Sequence, residues 1–188
     1  MKTKILILLF TGLSFAFLLN AQLSPGIKGG VNIANLIGYS GEARVGIHAG
    51  LFLHHTINNR WCLQPEILYS SEGQRYFNDE ERVLALDYVQ IPLMIQYYPT
   101  RQFYLEAGPQ LGILASAKDY PVDNGIKLNV KDEFTPTQIG INVGIGVQAN
   151  HTLGFYGRYG FGLTDITRYD NIIDQSRVGQ LGMTIRLK

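Results

Sequence analysis

The sequence predicts an all-β protein: an eight-stranded antiparallel up-and-down transmembrane β-barrel with short periplasmic turns and longer extracellular loops. Three observations carry that prediction. Apolar and polar residues alternate with period two through most of the chain after Ala21, as in strands with one face in each of two environments. The apolar face is built from Ile, Leu, Val and Phe and holds essentially no charge. The connections are alternately short and long, the arrangement of outer-membrane barrels.

The chain has 188 residues, enough for one domain and a targeting segment. Charged residues make up 16%, against about 25% in soluble domains, and glycine is over-represented at 21 residues. Sixteen Lys and Arg against 15 Asp and Glu leave no basic excess, which argues against a nucleic-acid partner. A hydrophobic content of 46% argues against disorder. Cys62 is the single cysteine, so no internal disulfide and no cysteine-cluster zinc site is expected.

Taken in order, Lys2 and Lys4 precede the apolar run Ile5–Leu19, and Ala21 supplies a small residue before a cut. That pattern predicts a cleaved signal peptide over residues 1–21 and a barrel domain over 22–188. The run is shorter than the ~20 residues a membrane-spanning helix needs. In the first strand Ile27, Gly29, Val31 and Ile33 oppose Lys28, Gly30 and Asn32. The second sets Val45, Ile47, Ala49, Leu51 and Leu53 against Arg44, Gly46, His48, Gly50 and His54. The third sets Trp61, Leu63, Pro65, Ile67 and Tyr69 against Cys62, Gln64, Glu66 and Ser70. Val89 to Tyr97 and Phe103 to Ile113 repeat the pattern, the latter opposing Tyr104, Glu106, Gly108, Gln110 and Gly112. The sixth strand is the clearest: Ile139, Ile141, Val143, Ile145 and Val147 oppose Gln138, Gly140, Asn142, Gly144, Gly146 and Gln148. Leu153 to Leu163 and Leu181 to Leu187 complete the eight. Phe52 and Leu68 fall on the polar face. Short turns are expected at Asn58–Arg60, Pro99–Gln102 and Asn150–His151, and long loops at Gly38–Glu42, Glu72–Arg82, Lys118–Phe134 and Asp165–Ser176.

Volume decides which face is outside. An eight-stranded interior is just wide enough to be filled by side chains. The apolar face would overfill it, whereas the polar face mixes Gly with Gln, Glu, Arg and Tyr that can interlock. Outward, the apolar face matches lipid, where a closed sheet is needed to pair every backbone group. Trp61, Tyr97, Phe103 and Phe155 near the short turns, with Tyr69 and Phe161 further along, fit aromatic belts at the two interfaces.

The run Leu63-Gln-Pro-Glu-Ile-Leu-Tyr-Ser70 followed by Gly73 resembles the third strand of the PorT-like outer-membrane β-barrel family. Gly26 to Leu36, Tyr88 to Tyr98, Tyr104 to Gln110 and Arg158 to Asp165 resemble its first, fourth, fifth and seventh strands, in the family's order. The resemblance covers nearly the whole chain after the signal segment. It implies an integral outer-membrane barrel of a Gram-negative bacterium, and through the relative that names the family, a link to protein secretion and gliding. The chain ends Ile185-Arg-Leu-Lys188, where such strands often finish on an aromatic residue.

Little in the sequence points to catalysis. His54 and His55 are adjacent and so point to opposite faces of a strand, which argues against a shared metal. Gly144-Ile-Gly146 lies mid-strand with no helix after it, so it is not a phosphate loop. No cofactor, metal or catalytic residue is expected. The candidate functional set is an ion-pair network on the inward face: Lys28, Arg44, Glu66, Glu106, Arg158 and Arg186. Unpaired charges in an apolar shell cost several kcal/mol, so they are expected to pair and plug the lumen. The expected role is non-enzymatic, structural or partner-binding; the alternatives are a narrow solute channel or an accessory part of a secretion or gliding apparatus. Expected partners are outer-membrane lipids, the barrel insertion machinery and other envelope or secretion proteins.

Overall fold

The computed structural model describes residues 23–37, 41–122, 126–167 and 175–187. The expected signal peptide lies outside them. The strands are β1 (Leu23–Ile37), β2 (Glu42–Thr56), β3 (Trp61–Asn78), β4 (Glu80–Tyr97), β5 (Phe103–Pro121), the two-residue β6 (Leu128–Asn129), β7 (Thr137–Gln148), β8 (Leu153–Gly162) and β9 (Gln175–Arg186). A 3-10 turn, Lys131–Glu133, follows β6. Each long strand pairs antiparallel with its sequence neighbour, and β6 merely edges the top of β5. The first and last strands pair over twelve positions, Gly26↔Arg186 to Ile37↔Gln175. The eight long strands therefore close into a ring with no free edge.

The facing follows the sequence pattern. Ile33, Val45, Ile139 and Leu181 are more than half exposed on the outer wall. Gln64, Gln90, Asn142 and Gln180 are buried inside. Phe52 and Leu68 are also buried in the lumen. Inward glycines make the space that larger neighbours fill. A Cβ on Gly146 would run into the Tyr104 ring, and one on Gly144 would sit 3.1 Å from Glu106 Oε1.

One expected loop is strand instead. β3 and β4 continue through Glu72–Arg82 and meet around Asp79 alone, with Asn78 opposite Glu80. Asp79 takes the turn with φ 59°, and Gly73 accommodates a φ of 119° within β3. β5 likewise runs to Pro121, so the start of the expected Lys118–Phe134 loop is also strand. The reason is physical. In this part of the wall charged residues such as Arg75 and Glu81 share the outer face with Phe77 and Val83, so the period-two contrast fades. The wall is consequently uneven: β3, β4 and β5 have 18, 18 and 19 residues, while β7, β8 and β9 have 12, 10 and 12.

Candidate functional site: a layered lumen

From the short turns upward the lumen has four layers. The lowest is an open vestibule of about 610 Å³ between the turns. Arg186, opposite Gly26 at the end of β9, donates to Tyr98 Oη at 3.2 Å and lies 3.4 Å from His54 Nδ1. Cys62 Sγ lies 3.1 Å from the same His54 nitrogen and is buried.

The second layer is ionic. Alternation puts Lys28 of β1, Glu66 of β3, Glu106 of β5 and Arg158 of β8 inside, and the ring closes them on one another. Arg158 grips Glu66 with both terminal nitrogens at 2.9 Å and donates from Nε to Glu106 Oε1 at 2.8 Å. Lys28 Nζ is 3.1 Å from both oxygens of Glu66 and 3.9 Å from the centre of the Tyr156 ring. Gln64 and Gln96 donate the remaining bonds, to Glu66 at 2.8 Å and Glu106 at 3.0 Å. All four charged residues are no more than 4% exposed. Two cations thus face two carboxylates, which neutralises the layer. His48 continues it upward, hydrogen-bonded to Tyr156 Oη and to Asn32 Oδ1 at 2.6 Å.

Arg44 and Arg186 do not join this layer. Arg186 lies at the rim, as described. Arg44, near the long-loop end of β2, donates to Ser71 Oγ at 3.0 Å and to the Glu72 carbonyl at 2.6 Å. Among the described residues neither pairs with a carboxylate.

The third layer centres on Glu72. Its buried carboxylate accepts from Ser70 at 2.9 Å, Ser176 at 3.0 Å and the Gln90 amide, all neutral donors. A void of about 10 Å³ bordered by Gln90, Gln138, Asn142 and Ser176 is the size of one water.

The fourth layer is apolar. Leu36, Leu84, Leu86, Tyr88, Leu114, Ala117, Phe134 and Ile166 pack together inside the tall wall, beneath the segment that carries the 3-10 turn. Phe134 forms an isolated bridge with Thr167 that ties this segment to the chain after β8. Above it Arg82 makes ion pairs with Asp119 at 3.2 Å and Glu80 at 2.8 Å. The Asp119 carboxylate and the Tyr76 hydroxyl hold the Arg82 guanidinium above its ordinary pKa. Burial, then the hydrogen bond to Asp119, pushes the Tyr76 phenol up.

The sequence reading missed the third and fourth layers. A signal was present: counting back by twos from Gln90 and Tyr88 places Leu86 and Leu84 inside. Phe134 and Ile166 carried no local signal, because they enter the lumen from connections rather than strands.

No curated protein matches the chain in sequence. Among solved structures, it is similar to Ail, the attachment invasion locus protein of Yersinia pestis, with a TM-score of 0.54 and 13% identity over 87% of this chain and 98% of that one. Neisserial surface protein A gives a TM-score of 0.59 at 10% identity, over 87% of this chain and 97% of that one. At such identities the likeness shows the fold alone. The family described as outer membrane protein beta-barrel domain matches residues 20–168, most of the chain, and its description agrees with the closed ring found here. The chain belongs to the outer membrane protein beta-barrel domain family.

Proposed function

We propose that this barrel is a non-conducting, non-enzymatic component of the Gram-negative envelope, inserted through a cleaved export signal with its short turns in the periplasm. Its role is structural or partner-binding, exercised through its loops and wall rather than by passing solutes. The observation that supports this reading is the filled lumen. Arg158 spans the bore between Glu66 and Glu106, and the apolar layer from Leu36 to Ile166 lies above it. A hydrated ion crossing would have to break a neutralised buried network and then pass an apolar constriction.

The resemblance of residues 63–70 to the PorT-like family supports partners among envelope and secretion proteins. Planar-bilayer recording tests the central statement: purified wild-type protein should give no steady ohmic current. A stable conductance would replace this reading with a narrow channel. Crosslinking in outer membranes, followed by identification of the adducts, tests the partner role.

A further inference from the structure

We propose that the vestibule at the short-turn mouth is a binding site for an oxyanion-bearing ligand, one carrying phosphate or several carboxylates. Its periplasmic placement rests on the orientation proposed above; the site itself does not.

Four observations converge. The vestibule, about 610 Å³, is within the 300–1,000 Å³ of ordinary ligand sites and opens to solvent between the turns. Its lining includes Arg101, Arg186, His54 and His151 and, among the described residues, contains no carboxylate. None of the chain's 15 acidic residues falls in the short connections 57–60, 98–102 or 149–152. The nearest carboxylates above, Glu66 and Glu106, are already neutralised by Lys28 and Arg158. Among the described residues Arg186 therefore has no carboxylate partner, and it is held in place by the Tyr98 and His54 side chains.

The turn asparagines add neutral donors. Asn58 Oδ1 accepts from the backbone of Arg60 at 2.9 Å and Trp61 at 3.0 Å. Asn150 Oδ1 accepts from Thr152 at 2.9 Å and Leu153 at 2.8 Å. With both carbonyl oxygens committed to the turns, the amide NH2 groups are what these side chains offer a ligand. A pocket rich in donors and cations, with no competing carboxylate, selects oxyanions.

Such a group could be soluble or could belong to an anionic lipid. The inward parity of Arg186 and His54 favours a soluble source, since headgroups lie against the outer wall.

The test uses the full barrel refolded in a neutral maltoside detergent, with inorganic pyrophosphate and citrate as probes. Binding is followed by calorimetry and by the NMR signals of the arginine Nε–H groups. Saturable binding that shifts Arg186 is expected, weakened at least ~10-fold by Arg186→Gln, the loss of one charge-assisted hydrogen bond. Arg101→Gln, in an exposed turn, should weaken it without touching the fold, and Arg177→Gln at the opposite end should leave it unchanged. In a second arm, phosphatidylglycerol replaces the soluble probes; a shift at Arg186 there would keep the site and assign it to lipid. Absence of saturable binding, equal affinity in Arg101→Gln and wild type, or shifts confined to turn arginines outside the vestibule would overturn the proposal. None of these outcomes bears on conductance, so this site and the non-conducting reading fail separately.

Discussion

Removing the Arg158 side chain would take two hydrogen bonds from Glu66 and one from Glu106. The two carboxylates would not suffer alike. Glu66 would retain Lys28 at 3.1 Å, whereas Glu106 would keep only the Gln96 amide. Breaking a buried ion pair by deleting one partner costs about 3–5 kcal/mol, because the charge left behind is uncompensated. Arg158→Ala should therefore lower the unfolding free energy in a denaturant titration by about that amount. Adding Glu106→Gln should restore part of the loss, since it removes the orphaned charge, and restore more than Glu66→Gln does. Additive losses in the double mutant would show that the two residues are not coupled. Four members of this constellation were legible in the sequence because strand parity fixes the face and distance from the short turns fixes the height. The exact partner of each charge was not, since it depends on how far neighbouring strands are staggered. That is why Arg186 ends beside His54 and Arg44 beside Ser71.

A strand of this barrel is read by both environments at once, and β7 is the clearest case. Val143 is exposed on the lipid face, and its neighbour Asn142 is buried, donating to Gln110 Oε1 at 2.7 Å. An arginine at the midplane of a barrel wall costs about 2–4 kcal/mol. Val143→Arg should lower stability by that much in a lipid-based folding titration. Asn142→Ser loses one hydrogen bond, worth about 1 kcal/mol, and should be the milder change. Equal losses would contradict the facing. The same two-sided reading explains where element boundaries were missed. Between Trp61 and Ser70 lipid enforces an apolar outer face, and the alternation is plain. Beyond Glu72 exposed charges enter the outer face, so Arg75 and Glu81 look like loop residues although they lie in β3 and β4. Inward-facing Leu84 and Leu86 are the part of the pattern that persists there, because the core still constrains them.

At the scale of the molecule the orientation is open to a direct measurement. Lys127 is exposed just ahead of β6, while Lys131 is tied to the Ala115 carbonyl at 3.0 Å and Lys118 lies within β5. Trypsin added to intact cells should cut after Lys127 and spare Arg60 and Arg101 in the short turns. Cleavage at either arginine in intact cells would invert the barrel. The ring and its facing follow from a short repeating pattern and could be read from the chain. The apolar layer could not, since it assembles from Leu36, Leu114, Phe134 and Ile166, residues far apart in sequence that meet only once the ring has closed. The closure has a further consequence. Leu187 N donates to the Pro25 carbonyl at 2.8 Å, so the first and last strands begin and end side by side. Each of the eight seams is an antiparallel ladder of the same kind, and none depends on where the polypeptide starts. A circular permutant, with Pro25 and Leu187 bridged by a few residues and new ends opened at Asn58–Arg60, would keep every ladder. It would leave the Arg158 layer where it is and move only the order in which the strands are made.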